Sequence, residues 1–426
     1  MLVAAVSLLL AIPGITLSQT AATAVISGLV TDPQGAVIPG AEVELLNLAT
    51  NQRQVRMTNA DGQYTFPRVS PGEYKITVTM QGFRQAVLPS VKIEVAKSYS
   101  FDFTLEVGEM VETVEVTAGA VVELQKTDAT VGNVISSEPL LRLPTLTRQA
   151  NELLTLQPGV MPTTGFLTGG AVTGARSDQS TFSLDGIDIS DNVVGGGAAL
   201  NTVIPVPVDS VEEFRVGVTN PNATFGRSAG AQVAFVSRRG SNEFHGAAYW
   251  YHQNDNLNAN SWTNNRNRIP KPELKDNRFG FRFGGPFWRN KTFFHVNYEG
   301  RRFPSSVNVT RIVPSETLRR GILRFRDNAG NIVSYDLAAS TLCGENNDQP
   351  CDPRGLGLSP SVAAFMSLYP QGNDPTLGDG LNTIGFRSTA SVPIETNYVK
   401  FHLTHNFTDK WQFTGSYAYF RNLRPT

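Results

Sequence analysis

One serine in this 426-residue chain has the neighbours of a catalytic nucleophile. Gly226, Ser228 and Gly230 match the G-x-S-x-G pattern, which places a hydrolase serine in a sharp turn between a strand and a helix. The following residues, 231–237, instead alternate as a strand and then turn at Gly240. We therefore expect no catalytic Ser228, no Ser/His/Asp machinery and no enzyme.

Carboxylates and imidazoles could bind a metal ion in two places. Asp185, Asp188 and Asp191 offer oxygen ligands of the kind that calcium prefers, but their spacing lacks the D-x-D-x-D-G-x5-E pattern of a calcium loop. A solvated turn is expected there. His402 and His405 fall on opposite faces of a predicted strand, unlike the histidines of a helical H-E-x-x-H site. We therefore predict neither a metal site nor a cofactor.

The two cysteines, Cys343 and Cys351, lie in a polar segment and are close enough in sequence to pair. This predicts a loop disulfide in preference to a metal or redox site, and it fits an oxidising compartment.

The apolar run from Leu2 to Leu17, with small residues near Ser18, is typical of a secretory signal peptide, with a buried strand as the alternative. No later stretch reaches about 18 apolar residues, so any membrane span must be made of strands.

Composition favours several β domains. Charged residues make up 17% of the chain, glycine is abundant at 38 residues, and the net charge is -1. The basic residues are scattered among acidic ones, which argues against nucleic-acid binding. From Ala24 to about residue 105, strand-like runs alternate with turn dipeptides such as Asp61-Gly62 and Pro71-Gly72, and this predicts a seven-stranded β-sandwich.

The turns and strands of this first region resemble those of carboxypeptidase regulatory-like domains. The matching motifs are Gly28-x-Val30-x-Asp32, Pro39-Gly40-Ala41, Asp61-Gly62-x-Tyr64-x-Phe66, Pro71-Gly72-x-Tyr74 and Gly82-Phe83. The resemblance implies an accessory sandwich without catalytic residues, whose fold relatives include carbohydrate-binding modules. Tyr64, Phe66 and Tyr74 are expected in its core rather than on a sugar-binding surface.

A polar segment, 106–133, comes next and is expected to be an extended linker. Within it, apolar and polar residues alternate, as in peptides that add a strand to a partner's sheet edge. The alternating residues are Glu112, Thr113, Val114, Glu115, Val116 and Thr117. They resemble the TonB box of TonB-dependent receptors, although a last strand of the sandwich is equally compatible with the pattern.

Residues 134–242 resemble the plug domain of the same receptors. The most specific match runs from Gly174 and Arg176 through the strand Phe182-Ser183-Leu184 to the turn Asp185-Gly186. The stretches 205–216 and 225–233 resemble the last strands of a plug. The resemblance implies an α+β plug domain with Gly174, Arg176, Asp185 and Gly186 as its motif residues.

Beyond residue 243 the pattern is that of a transmembrane antiparallel barrel. All four tryptophans lie there, and alternating strands such as 279–284, 294–299, 399–404 and 411–417 offer one face to lipid and a polar face to a lumen. Gly285-Pro286 and the later Tyr298-Glu299-Gly300 resemble a signature of Oar-like TonB-dependent receptors. Residues from about 310 to 393 are expected to form a long external loop containing the two cysteines, and the predicted barrel is incomplete.

These features predict a mainly β protein with a signal peptide at 1–18, a sandwich at 24–105, a linker at 106–133, a plug at 134–242 and barrel strands at 243–426. The resemblance implies an outer-membrane receptor that takes up a bulky extracellular ligand with energy transduced by TonB from its inner-membrane complex. The sandwich and plug would lie on the periplasmic side. The alternative is an outer-membrane adhesion or surface-assembly protein on the same scaffold, with or without carbohydrate binding.

Overall fold

The computed structural model describes residues 22–108, 113–115, 130–143, 145, 147–162, 170–175, 179–190, 202–220, 230–266, 270–304, 306–337, 339–343, 346 and 348–423. The chain forms two compact units. The first comprises Met1–Trp250, Phe279–Gly300 and Asn397–Arg421, and the second Tyr251–Arg278, Arg301–Thr396 and Asn422–Thr426. The predicted signal peptide lies outside the described residues.

None of the helices in the described residues has the length and apolar character needed to span a membrane.

The first unit begins with a β-sandwich. Its strands are β1 (Ala24–Thr31), β2 (Glu42–Asn47), β3 (Arg53–Met57), β4 (Gln63–Val69), β5 (Gly72–Thr79), β6 (Gln85–Ile93), β7 (Ser98–Ser100), β8 (Phe103–Thr104) and β9 (Thr113–Glu115). One sheet has the order β4-β1-β7, with β8 also paired to β1, and the other has the order β3-β2-β5-β6-β9. The last three strands are only two or three residues long. The total of nine described strands compares with the seven predicted from the sequence.

Alternating apolar residues of the two sheets make the sandwich core. Tyr64, Phe66 and Tyr74 are almost completely buried in it, as expected from the sequence. The Tyr64 hydroxyl donates a hydrogen bond to the Phe101 carbonyl, 2.7 Å away. A side chain at Gly28 would stand 1.9 Å from that same carbonyl oxygen, so the first motif glycine is required by the close approach of two strands.

A central domain comes next in the same unit. Its elements are β10 (Val131–Ser136), α1 (Ser137–Arg142), a 3₁₀ segment (Ala150–Leu156), β11 (Val160–Pro162), β12 (Gly170–Val172), β13 (Thr181–Leu184), β14 (Ile187–Asp188), a 3₁₀ turn (Val208–Ser210), β15 (Val211–Thr219) and β16 (Gln232–Ser237). Five strands form a sheet of order β10-β15-β16-β13-β14, and β11 pairs with β12. Strand β16 is buried along its whole length, between antiparallel β15 and parallel β13.

The core of the central domain is apolar. Phe214 and Phe235 are completely buried and pack with ring centroids 5.2 Å apart. Phe182 and Val233 extend this core across the sheet. The short helices and the mixed sheet agree with the α+β class expected for this region.

Long strands then form a third sheet, of order β17-β18-β19-β26-β27. They are β17 (His245–Asn254), β18 (Lys275–Trp288), β19 (Thr292–Phe303), β26 (Ile394–Asn406) and β27 (Gln412–Leu423). A short helix, α2 (Trp262–Arg266), lies between β17 and β18, after a 3₁₀ turn (Asp255–Leu257). The predicted strands at 279–284, 294–299, 399–404 and 411–417 all belong to this sheet.

Burial in this sheet is inverted relative to a soluble protein. His295 and Asn297 are 1% and 0% exposed, whereas Phe281 and Trp250 are 43% and 69% exposed. A sheet that buries its polar face and exposes its aromatic face suits a lipid exterior and a polar interior. We call it the barrel-type sheet.

The segment between β19 and β26 contains regular structure that the sequence prediction did not anticipate. Its elements are β20 (Ser306–Pro314), α3 (Glu316–Arg319), β21 (Ile322–Arg326), β22 (Ile332–Asp336), β23 (Leu342–Cys343), β24 (Gln349–Pro350), α4 (Pro360–Ser367) and β25 (Thr383–Ser391). Strand β20 pairs with β25 along its full length. The segment is therefore not free of strands, contrary to the expectation from the sequence, because β20 and β25 pair although they lie 69 residues apart in sequence. Its location as an external loop stays a prediction.

Candidate functional site: the Asp185 turn and its contacts

The strands β13 and β14 are joined by a two-residue turn at Asp185-Gly186. Both residues have positive φ, +52° for Asp185 and +84° for Gly186, and Leu184 pairs with Ile187 across the turn. This is the geometry of a tight hairpin turn, in which glycine and aspartate are favoured because they tolerate left-handed backbone conformations. The predicted turn is present.

The Asp185 carboxylate is not solvated, contrary to expectation. Its side chain is 9% exposed, and its Oδ2 lies 2.7 Å from the Nζ of Lys400, which is 3% exposed. The Ser237 amide and the Ser416 hydroxyl each donate to it at 2.8 Å. The Asp185 carboxylate is buried because Ser237 of β16, Lys400 of β26 and Ser416 of β27 surround it. The local sequence around Asp185 does not predict these distant partners.

We call Asp185, Ser237, Lys400, His402 and Ser416 the Asp185 cluster. The Ser237 hydroxyl also donates to Asp185, at 2.8 Å, and lies 3.2 Å from His402 Nδ1. Lys400 donates to the Ser416 hydroxyl. The cluster thus links the central domain to the polar face of the barrel-type sheet within the first unit.

Charge explains the protonation state of Asp185. Burial by itself raises the pKa of this carboxyl, but the Lys400 ammonium and the Ser237 amide more than offset it and hold the pKa below its ordinary value. Asp185 is therefore ionised at neutral pH and forms a charge-assisted pair with Lys400.

The Asp185 cluster contains the residue types of a catalytic triad but not its geometry. Asp185 binds Ser237 directly, whereas a triad aspartate orients the histidine. Ser237 is 0% exposed, so the hydroxyl has no access to a substrate. The cluster can hold two layers together, and it cannot act as a nucleophilic site in this arrangement.

A second charged group, which we call the Asp209 cluster, makes a similar link. The buried Asp209 carboxylate lies 2.5 Å from the Arg148 guanidinium and 2.8 Å from that of Arg282 on β18. The Arg148 guanidinium also lies over the ring of Tyr249, 5.4 Å from its centroid. Tyr249 in turn donates to Glu299 on β19 at 3.0 Å. The central domain therefore meets the barrel-type sheet through two buried polar clusters.

The sandwich contacts strands β15 and β16 of the central domain. The Val95 amide donates to the Glu213 carboxylate at 2.5 Å, and the Arg215 guanidinium donates to the Ala96 carbonyl. Val95 and Ala96 also pack against Ala234 and Val236 of β16. Burial raises the pKa of Glu213 to about 7, with the neighbouring Glu212 adding to the effect and the Val95 hydrogen bond opposing it.

Several predicted site residues lie elsewhere in the chain's structure. Thr113, Val114 and Glu115 form β9, which pairs in parallel with β6, whereas Glu112, Val116 and Thr117 lie outside the described residues. Gly174 is exposed with φ +79° and does not contact the Asp185 turn in any described bond. Arg176, Asp191 and Ser228 also lie outside the described residues.

The described residues hold no group of three or more His, Cys, Asp or Glu placed to bind a metal ion. His405 Nδ1 lies 2.7 Å from the Thr292 hydroxyl, while His402 belongs to the Asp185 cluster.

Cys351 is disulfide-bonded. Strand β23, which contains Cys343, pairs with β24 immediately before Cys351.

Two domain families match the sequence. Residues 25–106 match the carboxypeptidase regulatory-like domain, and residues 236–426 match the outer membrane beta barrel domain. The chain is also 24% identical over 305 residues to the TonB-dependent transporter Oar of Myxococcus xanthus. That alignment covers 65% of this chain and 27% of the relative, so the chain spans about a quarter of the relative's length.

Solved structures give weaker likenesses. The outer membrane transporter YddB from Escherichia coli superimposes with a TM-score of 0.41 at 14% identity, covering 69% of this chain and 33% of that one. The siderophore receptor PirA from Pseudomonas aeruginosa gives a TM-score of 0.34 at 16% identity, covering 69% and 41%. With TM-scores below 0.5, neither likeness supports a functional conclusion.

The curated relative is a transporter and not an enzyme, in agreement with the expectation for this chain. The matched barrel domain agrees with the inverted burial of the third sheet and confirms the predicted outer-membrane location. The chain is an outer-membrane protein that carries a carboxypeptidase regulatory-like domain ahead of an outer membrane beta barrel domain, and its sequence is similar to that of the TonB-dependent transporter Oar.

Proposed function

We propose that the chain works as a TonB-dependent receptor that takes up a bulky extracellular ligand, with the central domain as its plug. In this proposal the barrel-type sheet is part of the wall around the plug. The sandwich and the plug lie on the periplasmic side, and the segment around Thr113–Glu115 is the TonB box. TonB, energised from the inner membrane, pulls on that segment and displaces the plug.

The observation that carries the proposal is the polar character of the contacts between the central domain and the sheet. Asp185 with Lys400, and Asp209 with Arg282, are ion pairs between the two layers. A plug must separate from its wall without unfolding. Apolar packing resists such separation by about 25 cal/mol for each Å² exposed to water.

Polar contacts separate more readily when water enters. Each neutral hydrogen bond contributes only about 0.5–1.5 kcal/mol net, since water replaces the lost partner. Inside a membrane barrel, water can reach the polar face from the lumen and cannot reach it from the lipid side. The Asp185 and Asp209 clusters therefore suit an interface that holds at rest and opens under a pulling force.

The test uses the full-length gene product in cells with and without TonB. A photo-crosslinking residue is placed at Val114, and a matched control is placed at Met57, which is exposed on the same sandwich. We expect an outer-membrane protein that crosslinks to TonB from position 114 and not from position 57.

An outer-membrane protein that gives no TonB crosslink from any position in 112–117 would contradict the receptor proposal. It would favour the adhesion or surface-assembly alternative. Recovery of the protein in a soluble secreted fraction would contradict both.

A further inference from the structure

The sandwich sheet β3-β2-β5-β6-β9 ends on a strand from the segment after the domain. Without β9, the edge of this sheet would be β6, with a row of backbone groups free to pair with any extended peptide. Thr113, Val114 and Glu115 occupy that edge in parallel, in register with Gln85, Ala86 and Val87. The regulatory-like domain thus has a strand-binding edge, and its occupant is this chain's own segment.

Backbone bonds just before β9 bring the segment to this edge. The Arg84 amide donates to the Glu106 carbonyl at 2.8 Å, and the Gly108 amide donates to the Gly82 carbonyl at 3.2 Å. The Arg84 and Glu106 side chains form an ion pair of 3.2 Å. The chain therefore leaves β8 alongside the start of β6, where the next extended residues can add to the sheet.

We propose that the sandwich edge β6 and TonB compete for the same strand, so that the carboxypeptidase regulatory-like domain masks the TonB box at rest. This rests on the function proposed above, in which the segment binds TonB by strand addition. Successive residues of a strand direct their backbone N–H and C=O groups alternately towards its two neighbouring strands. The backbone groups that Thr113–Glu115 direct towards β6 are therefore not available to TonB while β9 is in place.

The pairing is also short enough to be displaced. Strand β9 pairs with β6 over three residues, whereas β5 pairs with β6 from Gly72 to Val78. The core described for the sandwich, with members from Ala24 to Leu105, already joins the two sheets through residues that precede β9. The domain can therefore give up the segment without unfolding.

The test is a reversible lock. Gln85→Cys with Thr113→Cys places two thiols at register partners on neighbouring strands, about 4.8 Å apart in backbone spacing, within reach of a disulfide. The matched control is Glu42→Cys with Met57→Cys, register partners on β2 and β3 of the same sheet. The probe is the purified periplasmic domain of TonB, titrated against the full-length protein in detergent, before and after reduction.

We expect the oxidised Gln85–Thr113 lock to bind the TonB domain at least tenfold more weakly than its reduced form. The oxidised control pair should bind as the wild type does. Hydrogen exchange in a peptide containing Gln85–Val87 should accelerate when the TonB domain is added to the wild type, because the edge of β6 loses its partner.

Equal binding by the oxidised and reduced lock, or failure of the lock to form, would overturn the masking proposal and leave the receptor proposal standing. Unchanged exchange at β6 in the TonB-bound wild type would overturn it too. If the wild type does not bind the TonB domain at all, the receptor proposal itself fails and the masking proposal falls with it.

Discussion

The ion pair between Asp185 and Lys400 offers the sharpest test of how the central domain is held. Lys400→Met removes the ammonium and keeps much of the side-chain volume, so the Asp185 carboxylate stays buried without its counter-charge. Removing one partner of a buried ion pair costs about 3–5 kcal/mol. Three hydrogen bonds from Ser237 and Ser416 still reach the carboxylate, so we expect the lower end, about 3 kcal/mol.

The matched control is Lys410→Met, the same substitution at an exposed lysine in the turn before β27. Surface changes of this kind are expected to stay within about 0.5 kcal/mol. The measurement is the free energy of local opening at the Ser237 amide, which donates to Asp185 and whose hydrogen exchange reports separation of the cluster. Thermal melting of the full-length protein provides a second reading.

A double-mutant cycle isolates the pair from its surroundings. Asp185→Asn retains a residue that tolerates the positive φ of the turn, and the double variant removes both charges at once. We expect a coupling free energy of about 2 kcal/mol, inside the usual range for residues in direct contact. A coupling near zero, or a Lys400→Met effect no larger than that of Lys410→Met, would refute the assignment of Asp185–Lys400 as a holding contact.

The pair also sets a pH dependence with a definite sign. The folded pKa of Asp185 lies below its ordinary value of 3.8, so its contribution to stability is present above about pH 3.8 and disappears as the pH falls through the folded value. Without Lys400, burial is less opposed and the pKa of Asp185 rises. The deficit of Lys400→Met relative to the wild type should therefore shrink on acidification.

Two further outcomes are expected from buried groups near and within the sandwich. The folded pKa of Glu213 is raised to about 7 from 4.5, so its favourable contribution to stability is complete below about pH 4.5 and is lost as the pH rises through 7, a change of about 3 kcal/mol. Glu213→Gln keeps an acceptor for the Val95 amide and should remove this decline in stability between pH 5 and 8, measured in thermal melts. A Glu213→Gln variant that is less stable than the wild type at pH 8 would contradict this. Phe66 is 0% exposed in the sandwich core, so Phe66→Ala should destabilise the sandwich by about 3–5 kcal/mol, measured by hydrogen exchange of β1 and β4. The control Met57→Ala, on the exposed surface of the sandwich, should change its stability little. Equal effects of the two substitutions would contradict the assigned core.

Patterns that act over a few residues were readable from the sequence. Asp185-Gly186 predicts a tight turn because both residues accept positive φ, and the turn is present. The alternation of Phe281 and Phe283 with Arg282 predicts a strand with one lipid face, and the observed exposure of these aromatic rings agrees. Such features depend only on backbone preference and on the two-residue period of a strand.

The ion-pair and strand-pairing partners of these residues could not be predicted from the sequence. Asp185 was expected to be solvated, yet its carboxylate binds Lys400, 215 residues away, because the fold sets the turn against the polar face of another sheet. Likewise, the alternation in 112–117 fitted both a TonB box and a last sandwich strand, and only the fold decided that Thr113–Glu115 lie along β6. The sequence by itself determined which segments are strands and turns, because that depends on neighbouring residues. The tertiary structure decided which side chains are buried, which charges pair and which strand occupies the edge of the sandwich sheet, because those depend on residues that only folding brings together.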